Sequence, residues 1–507
     1  MRRLVAGLLC TLLAAVVFAM YAPALRFALM GDDYQWVQQA HRAQHRPVLL
    51  LGDLGSFYRP ASTWTLVADR LLWGRFAGGY HVTNLVLHAL AASALLLVAL
   101  RLGLALPAAA AVALLWIVTP FTSEPAVSVA IRFENLLFLS WLGLALAWPR
   151  AGESWGIGRL AAAGLFACLL PMSKETWVVT PGLVWVLERY QHRVGSRRAG
   201  VTMLGAAALV LAYVATYFLL LPGGKNYFEY SFRPLAKIPH ELAAFLGFET
   251  LVPVAFPLSW KGLVALAVVA IAVVFVVRAA HAAGVVGAAL LFFPSIPTLL
   301  VPYLPTRYTT IPYAGFLLLV AAALSVLARQ LTRWWRACGA LALVVFGAGV
   351  LATGVFTLHR DLEDVAGVST AHRQLVSEAD GVVRALPLDR PVLVVRDEHE
   401  NPLHEIAMSA HGLPKLFYIR GEDPYGLVDM AALCEWALAR EDIYFERFDD
   451  GEERFRGHKG ALLVHRAGGF VWAADEVADI GSEAKCWRSA GYRVRMIAAT
   501  SEPRRIP

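Results

Sequence analysis

Two adjacent carboxylates, Asp32 and Asp33, leave an apolar run inside the stretch "MGDDYQWVQQAH". Further along, cations stand in short polar stretches between apolar runs: Arg59 in "FYRPASTW", Arg132 in "IRFEN", Lys174 in "PMSKETW" and Arg307 in "PTRYTTIP". A carboxylate placed beside a hydroxyl can take its proton. Arg forks and Lys hold phosphate well where water is scarce. Taken together, these residue types describe a base, Asp32 with Asp33 beside it, next to a seat for a lipid phosphate. Each residue alone has a plainer reading, since adjacent acids cap helices or stay wet and single cations snorkel to a membrane surface.

The neighbours extend the pattern. Tyr58 adjoins Arg59, which precedes Pro60 in a turn, and Tyr308 adjoins Arg307. Glu124 and Glu134 flank Arg132, and Glu175 follows Lys174 directly. In "GGYHVTNLVLH", His81, Asn84 and His88 stand at i, i+3 and i+7, which puts them on one helix face. That face can pack polar groups, touch substrate or, less readily, hold a metal, for which no third strong ligand has suitable spacing. No cofactor is called for, and a divalent cation is left open.

These residues must be positioned by membrane helices. The chain has 507 residues, 58% hydrophobic and 16% charged, too few charges to cover a soluble protein of that length. Its net charge of +7 needs no nucleic acid, because basic clusters beside helix ends orient membrane proteins. Apolar runs fall near 4–25, 79–100, 105–121, 134–148, 158–172, 175–189, 200–221, 261–278, 282–302, 309–328 and 337–357, which makes eleven. The first is longer than a signal-peptide core, so it is read as a retained helix entering behind Arg2 and Arg3. Alternation then places the basic stretches 188–198, 278–281 and 328–336 inside, and every polar cluster named above outside. Segment 238–260 is apolar enough to span, but counting it inverts the later loops; its prolines, Glu241 and Glu249 suit a re-entrant or interfacial segment.

The first outer loop, 28–78, carries a stretch with Trp64, Val67, Leu71, Leu72 and Phe76 to one side and Arg59, Asp69, Arg70 and Arg75 interspersed. It reads as an interfacial helix. Residues 358–507 read as a small extracytoplasmic α/β or α+β domain: a strand from 390 ending in the turn "RDEHENP", a helix at 427–441, and two strands at 460–476 around Gly468 and Gly469. His399 and His404, with the acids of "RDEHENPLHE", read as a charged, solvated loop rather than a metal site. Of five cysteines, Cys434 and Cys486 fall in this portion and could pair.

The ordered set "DD" (32–33), "YRP" (58–60) with "GGYHVTNLVLH" (78–88), "PFTSEP" (120–125) with Arg132, "SKE" (173–175) and "RYTTIPYAGF" (307–316) resembles the membrane-embedded GT-C glycosyltransferases. The likeness is to the protein O-mannosyltransferase-like enzymes, especially the transmembrane mannosyltransferases that carry tetratricopeptide repeats. It implies a polyprenyl-phosphate-linked sugar donor and inverting transfer at the outer face of a bacterial inner membrane to a protein, lipid or glycan. It also implies Asp32 as the catalytic carboxylate, with Arg59, Arg132, Lys174 and Arg307 on the donor phosphate. Tyr58, His81, Asn84, Glu124, Glu175 and Tyr308 are then substrate contacts. No 34-residue repeat follows residue 357, so the acceptor class does not carry over. A polymer ligase, or a flippase or transporter of lipid-linked glycans, is the rival reading; a transporter should break its helices near the midplane.

Overall fold

The structure, a computed structural model, describes residues 2–30, 33, 36, 37, 40, 43, 44, 47–50, 58–74, 76–220, 234–247, 259–298, 306–330, 347–370 and 373. It also describes the strands at 392–396, 460–466, 469–477, 486–487, 492–493 and 504–505. The chain divides into two compact units, one of residues 1–25, 46–69 and 79–362, the other of residues 26–45, 70–78 and 363–507.

The first unit is a helical bundle with the periodicity and length of a polytopic membrane protein. Among the described residues, four helices are long and apolar enough to cross a membrane: Ala77–Arg101, Ser196–Ala215, Trp260–Arg278 and Thr306–Gln330. The pair Leu106–Ile117 and Pro120–Val127 makes a fifth if counted as one span broken by 73°. Shorter apolar helices cover Leu4–Met20, Ile157–Ser173 and Ala282–Thr298. The 25 residues of Ala77–Arg101 reach about 37 Å, enough for a hydrocarbon core of about 30 Å. The eleven expected runs are thus mostly helical, though only these described spans pass as crossings. Within 337–357, residues 347–357 belong to a helix through 370 and the rest lie outside the described residues.

Local chemistry explains the breaks. Pro120 lacks an N–H and cannot continue a helix from Ile117. Thr122 Oγ1 donates to Trp116 O (2.7 Å) and Thr119 O (3.2 Å), satisfying carbonyls that the bend frees. The run expected as one helix over 175–189 is three pieces: a 3-10 turn at Glu175–Val179, an α-helix at Thr180–Val186 and a π-turn at Leu187–Gln191. Pro181 opens the middle piece, and Thr180 Oγ1 donates to Trp177 O (2.5 Å). At the π-turn, Gln191 Nε2 donates to Ala145 O (3.0 Å) and Trp148 O (2.7 Å), anchoring the turn to the C-terminal end of Arg132–Ala147. Of segment 238–260, only the Pro234–Phe245 helix and residues to 247 and from 259 are described.

Packing is tightest where side chains vanish. A Cβ on Gly287 would lie 2.6 Å from Leu319 N and 2.7 Å from Gly315 O, so Ala282–Phe292 and Thr310–Gln330 meet backbone to backbone. Nearby, Trp116 Nε1 donates to Thr310 O (3.0 Å), and the His88 ring stacks on Trp116 at 4.4 Å.

The second unit holds a four-stranded sheet. Val392–Arg396 pairs in parallel with Gly460–Arg466, which pairs antiparallel with Gly469–Val477, and that strand pairs with Arg504–Arg505. The strands Val392–Arg396, Gly460–Arg466 and Gly469–Val477 fall on the stretches expected to be strands, while Gly468 lies outside the described residues. The helix expected at 427–441, the "RDEHENP" turn beyond Arg396 and Cys434 lie outside the described residues. In the same unit, Ala28 N–H donates to the buried Ser369 Oγ (2.8 Å).

Candidate active site

Arg59 sits just before Pro60, where the following ring holds the residue extended and the helix Pro60–Trp73 begins. Its guanidinium grips Glu175 fork to fork, Nε to Oε1 at 3.0 Å and Nη2 to Oε2 at 2.9 Å. Its Cζ also lies 3.9 Å over the Phe133 ring, a cation–π contact. Phe133 and Glu134 occupy the first turn of Arg132–Ala147. Lys174 is extended (φ −161°, ψ 150°) between Ile157–Ser173 and the turn at Glu175. Successive side chains of extended backbone point opposite ways. Lys174 therefore pairs with Glu134 while Glu175 turns to Arg59.

The row continues through a second ring. Lys174 Nζ lies 4.3 Å from the Tyr308 centroid and 5.5 Å from that of Phe133, and Arg307 Cζ lies 5.5 Å from Tyr308. Arg307 Nη1 donates to Glu124 Oε1 (2.8 Å), while Arg307 N–H (2.7 Å) and Thr306 Oγ1 (2.8 Å) donate to Glu124 Oε2. Among the described residues, three cations thus pair with three carboxylates beside the Phe133 and Tyr308 rings. Such a row can bind an anion by exchanging one carboxylate for it, with orientation fixed by the Arg59 fork.

The expected residues separate clearly against this geometry. Arg59, Lys174, Arg307, Glu124, Glu175 and Tyr308 come together. Arg132 stands elsewhere: it is fully buried, with Nη1 donating to Asp69 Oδ2 (2.6 Å) and Thr65 Oγ1 (3.4 Å), Nη2 to Tyr80 O (3.3 Å) and Nε to Val129 O (3.2 Å). Asp69 Oδ1 accepts from Thr83 Oγ1 (2.5 Å). A guanidinium so engaged is a strut between helices rather than an open hand. Tyr58 packs at 6.2 Å from the Tyr213 ring. His81 and Asn84 are buried, Asn84 Nδ2 donating to Ser128 O (2.6 Å), and His88 Nδ1 meets Asn135 Oδ1 at 3.3 Å. Among the described residues no three metal-type ligands gather. Asp32 lies outside the described residues. Asp33, in the second unit, is buried and accepts from Met30 N–H at Oδ2 (3.0 Å).

Two participants escape a reading by residue type. Phe133 is an apolar ring between two charges and carries no sign of its cation-stacking role. Asp69 does leave a signal: Ser62, Leu66 and Asp69 share one face, and all three are buried.

No family model matches the chain, and no curated protein matches its sequence. Solved structures do. ArnT from Cupriavidus metallidurans bound to undecaprenyl phosphate is similar at 14% identity and TM-score 0.51, and apo ArnT from that organism at 15% and 0.53. In both cases 90% of this chain and 93% of that chain are covered. The chain has the GT-C fold. The S. cerevisiae protein O-mannosyltransferase Pmt1-Pmt2 complex bound to the sugar donor also matches, at 14% identity and TM-score 0.29 over 45% of this chain and 36% of that one, too partial a likeness to bear on function.

Proposed function

We propose that this chain is an integral-membrane glycosyltransferase that moves a sugar from a polyprenyl-phosphate donor to an acceptor hydroxyl at the extracytoplasmic face. The observation that carries the reading is the row Arg59–Lys174–Arg307, built on a fold shared with a protein crystallised with undecaprenyl phosphate. Arg59, Lys174 and Arg307 grip the donor phosphate; Glu124, Glu175, Tyr308 and Tyr58 line the way to it. Arg132, tied into Asp69, holds the scaffold. Asp32 is the base and Asp33 orients the acceptor or helps to hold an ion, a role that suits a buried carboxylate already bonded to the backbone.

The reaction follows from these assignments. The acceptor oxygen attacks the anomeric carbon while Asp32 takes its proton. The bond from that carbon to the phosphate oxygen breaks, and its electron pair stays on the phosphate. Cations fixed before reaction stabilise that growing charge without reorganising. Attack opposite the leaving phosphate inverts the anomeric centre. Residues 358–507 form an extracytoplasmic domain that positions the acceptor, and 238–260 lies at the interface. The 12-residue Pro234–Phe245 helix, about 18 Å long, supports that placement because it is too short to cross alone.

The test is transfer in proteoliposomes from polyprenyl-phosphate sugars, mannose first, to a hydroxyl acceptor. Wild type is expected to transfer and Asp32→Asn, correctly inserted, to lose transfer. Normal turnover by that variant would remove Asp32 from the base role, and failure with every polyprenyl-phosphate sugar would overturn the reading.

A further inference from the structure

The three carboxylates in the row are not equivalent. Glu134 has a side chain 3% exposed and faces Lys174 in the bundle interior. Glu124, 24% exposed, is held by Arg307 through side chain and backbone and by Thr306 as well. Glu175 is 39% exposed, and the side-chain group that holds it is Arg59, itself 9% exposed. One carboxylate therefore sits at the water-facing edge with a single side-chain anchor, while its cation stays fixed over Phe133.

We infer that Glu175 is an internal stand-in for the donor phosphate, occupying the Arg59 fork until the phosphate displaces it. Two parallel N–H···O bonds to a carboxylate are the same contact that a guanidinium makes to two phosphate oxygens. The stand-in gives a buried guanidinium a fork-to-fork carboxylate partner while the site is empty, and matched partners offset the cost of keeping charge away from water. Displacement leaves Glu175 free to turn into water, a route closed to Glu134. Among the described residues the row holds as many carboxylates as cations, so exchange of one carboxylate for the phosphate adds less charge to it than simple addition would. This inference rests on the proposed phosphate grip and adds an opposite sign to it: removing a charged residue of the site should strengthen binding.

The experiment measures undecaprenyl phosphate binding to the full chain in detergent, with undecaprenol and inorganic phosphate as separate arms. Glu175→Gln should tighten undecaprenyl phosphate by about two- to fivefold, the range to which the strength of a part-exposed ion pair converts. Glu175→Ala should do the same, while Arg59→Gln should weaken it and undecaprenol should not respond to any of the three. Unchanged or weaker binding in both Glu175 variants, with Arg59→Gln still weakened, overturns the stand-in and leaves the functional reading intact. Tightening for inorganic phosphate alone overturns a lipid phosphate as the occupant. Absence of binding by wild type removes the functional reading and this inference together.

Discussion

The two ends of the Ala77–Arg101 helix carry charge in opposite ways. At its Arg101 end, Glu153 Oε2 accepts from Arg159 Nη1 (2.5 Å), Arg150 N–H (2.8 Å) and Arg101 Nη2 (3.3 Å); the Glu153 side chain, in the loop, is 31% exposed and that of Arg159, in the first turn of Ile157–Ser173, is 34% exposed. Arginines outnumber the acid there, and water reaches them. Near its Ala77 end, the Asp69–Arg132 pair is buried, and the next two residues, Phe133 and Glu134, begin the balanced row. Exposed basic excess orients a membrane protein and contributes little energy per pair. Buried charge that is matched partner for partner is costly to assemble, and the Asp69–Arg132 and Glu134–Lys174 pairs are of that kind.

That contrast is open to breakage. The largest expected effect comes from neutralising a cation in the row: Arg59→Gln, Lys174→Gln or Arg307→Gln should slow transfer by about a hundred- to a thousandfold. Arg101→Gln and Arg159→Gln should leave it near wild type in the same assay. Comparable losses at both ends would erase the distinction.

Next in size is the buried strut. Asp69→Asn should lower unfolding stability in detergent by about 3–5 kcal/mol, because it leaves the Arg132 charge uncompensated. The double variant Asp69→Leu with Arg132→Met should recover most of that loss. A mild effect of Asp69→Asn would mean that water reaches the pair.

The smallest effect belongs to Glu153. The hydrogen bond from Arg159, then the one from Arg150 N–H, hold its pKa down at about 2, below the ordinary value of 4.5. A lowered folded-state pKa contributes stability above the ordinary value, and that contribution is lost as pH falls toward about 2. Glu153→Gln should therefore flatten the stability curve between those limits, by about 0.5 kcal/mol at this exposure. An unchanged acid limb would show that the loop is open in solution.

Much of this arrangement is legible in the residues alone. Apolar length gives the helices, and polar residues at their ends give Arg59, Lys174, Arg307, Glu124, Glu175 and Tyr308. Arg132 marks the limit of that method. It begins a helix just as a gripping cation would, and what decides its role is Asp69, 63 residues earlier, a pairing no spacing rule encodes. The break of 175–189 into three pieces is hidden for a related reason: hydropathy counts apolar residues but not carbonyls, and Gln191 acts on carbonyls of another helix. The paired strands are easier, because their short apolar runs and the glycines between them are local in sequence.

Lys174 is a single extended residue between the Ile157–Ser173 helix and the turn at Glu175. Ile157, Leu160 and Leu165 on that helix are exposed, and in a bilayer they meet acyl chains. Its 17 residues span roughly 26 Å, a few ångströms short of a typical hydrocarbon core. Such a helix answers a thicker or thinner membrane by tilting or by deforming the lipid around it. Pro171, inside the last turn of that helix, is the joint through which such a movement would reach Lys174 and the carboxylate beside it. Membrane thickness would then act on these charges through one proline.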